Sequence, residues 1–328
     1  MRLPLRLRSF VLLLASWPAV LSAAETPPER VRSLKVLVLS TMLAELRSFG
    51  EWGFAALVEA GDRRLLFDTG SHPDTVLRNA RELGVDLSGI EEVILSHNHY
   101  DHTAGLLTLR RELSKTNPKA LSRAHVGRGI FWERPNVKPE ESFPAIGKAY
   151  EETGGTFVEH AGPVEIHPGI WLTGPVPRVH PERNWSPPGP STPGGRVRAP
   201  EGLVEDVIPE DQALVIDTDE GLVVISGCGH AGIINTLEYS RKVVRDSEIH
   251  AALGGFHLFR AGDDVLSWTG GKLRELGLEH LVGAHCTGIE AVFRLRETAG
   301  LDRSHCVVGA VGASFTLGTG IQPLDLAR

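Results

Sequence analysis

The sequence predicts an α/β (α+β) protein made of two mixed sheets flanked by helices. Two observations carry this expectation. Aliphatic hairpins stand early in each half of the chain, and each gives way to alternating strands and helices. The apolar strands also end repeatedly on turns that carry His or Cys, where sites gather in α/β folds. With 328 residues, 41% of them apolar, there is ample material for a large core.

The elements follow in order. LKVLVLS (34–40) is β-branched and aliphatic, hence a buried strand. GFAALVEAG (53–61) and RRLLFDTG (63–70), split by Gly61-Asp62, read as a hairpin. PDTVLRNARELG (73–84) places apolar residues at helical spacing between Pro73 and Gly84. EEVILS (91–96) is a strand that runs straight into His97, and TAGLLTLRREL (103–113) resumes as one helix. Residues 157–176 read as short strands with turns. From 177 to 205 Pro and Gly crowd out any periodicity, so this stretch is expected to be either a disordered surface insert or a loop over a site. QALVIDT (212–218) and GLVVISG (221–227) form a second hairpin. A helix (233–247), a strand (249–255), a partly helical stretch (265–277), a strand and turn (280–288) and a helix (289–300) complete the pattern.

The first residues have a different character. Arg2, Arg6 and Arg8 precede an apolar run from Phe10 to Leu21 and then Ser22, Ala23 and Ala24. That is the order of a secretory signal, with cleavage expected after Ala24. The run is shorter than the ~20 apolar residues that span a bilayer. The expected division is therefore a signal peptide (1–24) and one domain (25–328) working in a periplasm or outside the cell, with no membrane attachment after cleavage. A formal charge of −7, from 34 basic and 41 acidic residues, leaves no footprint for nucleic acid. A small-molecule substrate is the expected partner, and oligomeric state is left open. Three cysteines, Cys228, Cys286 and Cys306, are no disulfide framework.

Chemistry concentrates in SHNHYDH, 96–102. His97 and His99 fall on one side of an extended segment, Asp101 continues the alternation, and His102 opens the next helix. Such a turn offers four nitrogen or oxygen ligands to two nearby ions, and imidazole with carboxylate suits zinc, iron or manganese. A single histidine in such a place would more often be a satisfied polar residue; four donors directly after an apolar strand favour metal.

The HxHxDH pattern together with FDTG (67–70) resembles the metallo-β-lactamase superfamily over about residues 34–315. SGCGHAGIINT (226–236), GGFHL (254–258) and AHCTG (284–288) are similar to the subgroup named for dihydropterin–ribofuranosylaminobenzene phosphate synthase. The resemblance implies an αββα metallo-β-lactamase sandwich with a one- or two-metal site between the sheets. It implies a first metal at His97 and His99, and a second at Asp101, His102 and His285. Cys228 stands where most members carry a bridging aspartate. The usual third histidine of the first site is missing, with Glu210-Asp211 in its place, and His230 is the expected replacement. Asp68 is read as a carboxylate that orients a ligand histidine. His257 is read as a substrate contact or a ligand of a further ion, and Cys286 as a packing residue. His72, His125, His160, His167, His180, His250, His280 and His305 receive no role.

The expected activity is that of an exported metal-dependent hydrolase. Two divalent ions per chain, zinc first with iron or manganese also fitting, make hydroxide available near neutral pH for attack on an ester, lactone, cyclic phosphate or phosphodiester. Asp101 is the expected catalytic carboxylate. The loop, with Arg183, Trp185, Arg196 and Arg198, is expected to cover the site and bind an anionic part of the substrate. The rivals are a metal- and ligand-binding protein without turnover and a β-lactam-hydrolysing enzyme.

Overall fold

A computed structural model describes residues 29–45, 47–182 and 195–327. The expected signal segment, Arg183 and Trp185 lie outside these residues. Among the described residues no helix is long and apolar enough to cross a membrane.

The first half opens with antiparallel strands β1 (Leu34–Ser40), β2 (Ala55–Ala60) and β3 (Arg63–Phe67). Helix α1 (Thr75–Glu82) leads to β4 (Glu92–Leu95), which pairs parallel with β3. Helices α2 (Tyr100–Thr103) and α3 (Leu106–Leu113) lead to β5 (Arg123–Gly127), and α4 (Phe143–Glu151) leads to β6 (Thr156–His160), both strands parallel. The second half repeats the plan. Strands β7 (Val164–His167) and β8 (Ile170–Leu172) precede the hairpin β9 (Arg196–Ala199) and β10 (Gly202–Glu205). Strands β11 (Ala213–Thr218) and β12 (Gly221–Ser226) are antiparallel. Helix α5 (Ile233–Val243), β13 (Ile249–Gly254), α6 (Asp263–Glu275), β14 (His280–Gly283), α7 (Ile289–Ala299) and β15 (Cys306–Val308) then wind a parallel edge. Strands β16 (Ser314–Thr316) and β17 (Gly320–Gln322) return to the first sheet, where Phe315 sits opposite Val36.

The result is an eight-stranded sheet ordered β17-β16-β1-β2-β3-β4-β5-β6 and a seven-stranded sheet ordered β15-β14-β13-β12-β11-β8-β7. Val36, Val38, Val58, Phe67 and Ile94 of the first pack with Leu214, Ile216, Val223, Ile225 and Leu253 of the second. The alternate residues face outward under helices. Val76, Leu109 and Tyr150 cover Leu66, Val93 and Val126. Ile234, Leu273 and Val292 cover Val224, Ala252 and Leu281. Strands buried on both faces read as continuous aliphatic runs, and β11 and β12 are buried at every position.

Two expectations are corrected. The helix expected over 103–113 is broken at Ala104-Gly105 into α2 and α3. The backbone there lies against β3's end: a Cβ on Gly105 would stand 2.2 Å from the carbonyl oxygen of Thr69. The stretch 177–205 is not loop throughout, since β9 and β10 occupy its end. This hairpin belongs to neither large sheet, and the outward charged residues Arg196, Arg198 and Glu205 interrupt the usual aliphatic signal.

Candidate metal centre

Strands β4, β12, β13 and β14 deliver the donor residues, because the turns after them gather along one edge of the sandwich. His97 follows β4, Cys228 and His230 follow β12, His257 follows β13, and His285 follows β14. Pairing β12, β13 and β14 in parallel brings their carboxyl ends side by side. The two sheets are tied here by Gln212, whose backbone N–H donates to Ser96 (3.1 Å) and whose side chain donates to the Leu95 carbonyl (3.0 Å). The backbone N–H of His285 donates to Thr41 Oγ1 at 2.9 Å.

Two donor sets result. His97, His99 and His230 form one; Asp101, His102, Cys228 and His285 form the other. In each set the ligand atoms lie within 4.8 Å of one another. The sets adjoin, with the His97 and His102 ring centroids 4.3 Å apart. His102 Nε2 is 3.1 Å from Cys228 Sγ, and His285 Nε2 is 3.3 Å from Asp101 Oδ2. His97 Nε2 is buried without a hydrogen-bond partner, which leaves its lone pair for an ion.

The tautomer of His102 is fixed from behind. Its Nδ1 is 2.7 Å from Asp68 Oδ2, the N–H donating to the carboxylate, so Nε2 faces the second set as a lone pair. Asp68 is fully buried, and it also accepts from the backbone N–H and the hydroxyl of Ser96, both at 2.7 Å. The close approach needs Gly227: a Cβ there would stand 2.0 Å from Ser96 Oγ and 2.7 Å from Asp68 Oδ2. Asp68, His257 and His285 all adopt left-handed backbone, with φ of 56°, 48° and 46°. Strained non-glycine residues of this kind persist where the surroundings hold them, commonly at functional sites.

The protonation pattern favours cations. Burial holds His97 well below its ordinary range, and the neighbouring His102 adds to this. Burial likewise lowers His99 to about 4, against the pull of Asp101. Burial works to raise Asp101, but His102 and His285 outweigh it and keep the carboxyl ionised. Burial, then the facing Cys286, raises the Cys228 thiol. The neutral imidazoles of His97 and His99 beside the ionised Asp101 are ready to bind metal. Burial works to lower His285, but Cys286 and Asp101 outweigh it and raise it to about 10, so an ion there displaces a proton.

The remaining expectations sort clearly. Glu210 and Asp211, which occupy the missing histidine's place, join neither donor set. Glu210 turns away to accept from Arg134 Nη2 at 2.8 and 2.9 Å and from the Asn98 N–H at 3.2 Å. Asp211 accepts from the Ala231 N–H at 2.8 Å, and burial pushes it up to about 7. His257 joins neither of the two sets but groups with Cys228 and Cys286, its ring centroid 4.8 Å from that of His230. Cys286, expected only to pack, is buried with its Sγ 3.3 Å from Cys228 Sγ. Of the histidines given no role, His250 and His280 form a separate cluster with Glu279 at the opposite ends of β13 and β14.

Beside His99 lies a cavity of about 990 Å³. Asn98, Tyr100, Trp132, Arg134, Phe143 and Arg196 are among its walls, so α4, the 132–146 segment and the β9–β10 hairpin enclose it. Sequence reasoning found Arg196 but missed Trp132, Arg134 and Phe143, which carry no local motif. Arg198 pairs with Glu133.

Two sheets with helices outside, and histidine-bearing turns along one edge, invite comparison with known proteins. The description "Metallo-beta-lactamase superfamily" matches residues 53–242. The chain belongs to the metallo-β-lactamase superfamily. Within it, the chain is 28% identical over 272 residues to a Methanocaldococcus jannaschii protein named 7,8-dihydropterin-6-methyl-4-(beta-D-ribofuranosyl)-aminobenzene-5'-phosphate synthase, covering 80% of this chain and 90% of that one. The crystal structure of Tm1679, described as a metal-dependent hydrolase of the beta-lactamase superfamily, is 31% identical. It superposes with a TM-score of 0.63, over 81% of this chain and 93% of that one. Zinc-bound PqqB from Methylobacterium extorquens shares the fold at 14% identity and a TM-score of 0.51, over 85% and 99% of the two chains.

Proposed function

We propose that this superfamily member is an exported metal-dependent hydrolase that cleaves an ester, lactone, cyclic phosphate or phosphodiester. One observation carries the reading: two adjoining sets of donors, all buried except the partly exposed His99, lie beside a cavity large enough for a substantial organic molecule. Five imidazoles, one carboxylate and one thiol suit a pair of borderline divalent ions, zinc first and iron or manganese next. When bound, such ions supply Lewis acidity and lower the pKa of water.

The chain's own residues do the rest. His97, His99 and His230 would hold one ion, and Asp101, His102, Cys228 and His285 the other. Asp68 keeps His102 in the ligating tautomer. Asp101 is the carboxylate suited to orient the nucleophile or carry its proton. Trp132, Tyr100 and Phe143 supply apolar and aromatic wall for the organic part, and Arg196 supplies charge for an anionic part. The archaeal relative's name describes a molecule with a pterin ring and a phosphate, so phosphate-bearing ring compounds are the first class to test. Export, expected from residues 1–24, would place the work outside the cytoplasm and away from folate-type biosynthesis.

The test is a panel of nitrophenyl esters, lactones, cyclic nucleotides and phosphodiesters, with nitrocefin alongside, run on the wild type and His99→Ala. Turnover of one class, lost in the variant, is expected. Retained metal with no turnover on any member points instead to a metal- and ligand-binding protein. Preferential nitrocefin hydrolysis points to a β-lactam-hydrolysing enzyme.

A further inference from the structure

GGFHL and AHCTG place a second sulfur and another imidazole next to Cys228, and the hydrolytic reading uses neither. Cys286 Sγ stands 3.3 Å from Cys228 Sγ. One ring nitrogen of His257 lies within 4.8 Å of both sulfurs. His257 Nδ1 is buried and has no hydrogen-bond partner, and its backbone is held left-handed at φ 48°. Gly255 makes the approach possible, since a Cβ there would stand 2.9 Å from Cys286 Sγ. Both cysteines are buried and neither is in a disulfide. These features converge from three separate strand ends, after β12, β13 and β14.

We propose that Cys228, Cys286 and His257 form a sulfur-rich site for a thiophilic ion, adjoining the two donor sets and sharing Cys228 with the second. The donor geometry suits this. Two thiolates on one tetrahedral zinc, each about 2.3 Å from it, stand roughly 3.8 Å apart. The two sulfurs need to open by only a fraction of an ångström to reach that, whereas a disulfide requires them to close to about 2.05 Å. Two thiolates and an imidazole select zinc, cadmium, cobalt or cuprous copper over magnesium, calcium or manganese. The site therefore gives the centre a preference for soft ions that the histidine set alone does not carry. The inference rests on the metal-binding reading of the neighbouring residues through the shared Cys228.

Cobalt(II) titration of the metal-free full chain tests it, read by the thiolate-to-cobalt charge-transfer absorbance. Cys286→Ser is expected to lower that absorbance by about a third, removing one of three thiolate–cobalt bonds and leaving the two from the shared Cys228. His257→Ala is expected to weaken the affinity of the sulfur-linked component by at least about tenfold. Wild-type absorbance and affinity in both variants would overturn the site while leaving the dinuclear reading intact. No cobalt uptake by the wild type would overturn both. A Cys228–Cys286 disulfide in the purified chain, counted by thiol titration, would also overturn the site. If Cys286→Ser does not fold, His257→Ala decides alone.

Discussion

Asp68→Asn is the sharpest perturbation of the centre, because it changes one atom in a fully buried group. The carboxylate accepts three hydrogen bonds at 2.7 Å, from the Ser96 backbone, the Ser96 hydroxyl and His102 Nδ1. Asparagine keeps the shape and tolerates the left-handed backbone at this position. Its carbonyl oxygen can still accept from the Ser96 N–H. Its amide nitrogen then meets the N–H of His102, donor against donor. His102 escapes only by moving its proton to Nε2, the atom that faces Cys228 and the second donor set. The variant thus either leaves a buried donor unsatisfied, at a cost of about 1–3 kcal/mol, or blocks a ligand lone pair. Loss of such a supporting contact lowers metal affinity by about 10–100-fold, or roughly 1.4–2.8 kcal/mol. Competition with a chromophoric chelator measures it, ion by ion. The second ion is expected to weaken and the first, on His97, His99 and His230, to hold. Equal affinities in Asp68→Asn and wild type would refute the tautomer argument.

The other expectations concern the shell around the centre. Arg134→Ala strips the partner from the fully buried Glu210 and from Asp206, 2.6 Å from Arg134 Nε. It should cost about 3–5 kcal/mol in urea unfolding, and a loss under about 1 kcal/mol would contradict the pairing. His160 and His280 are each lowered to about 4, by burial first and a neighbouring histidine second. The unfolded chain takes up those protons near 6.5. The stability they leave intact at neutral pH is therefore lost as pH falls from about 6.5 towards 4. His160 is partly exposed, so solvent screening keeps its slope well below ~1.4 kcal/mol per pH unit, whereas His280 is buried. Chemical unfolding at pH 7 and pH 5 should show a shallower slope in His160→Gln, and an unchanged slope would remove His160 from the account.

Legibility in the sequence followed how local each signal was. Strands buried on both faces, such as Ala213–Thr218 and Gly221–Ser226, announce themselves as aliphatic runs. His97 to His102 sit in one turn, so their convergence needs no tertiary information. Several other elements were missed because they lack those signals. Arg123–Gly127 follows an irregular stretch, and Cys306–Val308, Ser314–Thr316 and Gly320–Gln322 are three-residue strands among glycines, held by pairing rather than propensity. Helix Phe143–Glu151 carries Pro144 and Gly147, which weaken its pattern. The cavity joins residues 98–103, 132–146 and 195–208, segments that nothing local connects. Cys286 read as packing because its closeness to Cys228 arises only when β12 and β14 flank β13.

The claim on which everything else depends is that two adjoining donor sets each take an ion. Metal analysis of protein purified without added metal, beside His99→Ala and His285→Ala, tests it most directly. The account expects two divalent ions on these sets in the wild type, with the first lost in His99→Ala and the second in His285→Ala. Wild-type metal content in both variants would contradict it.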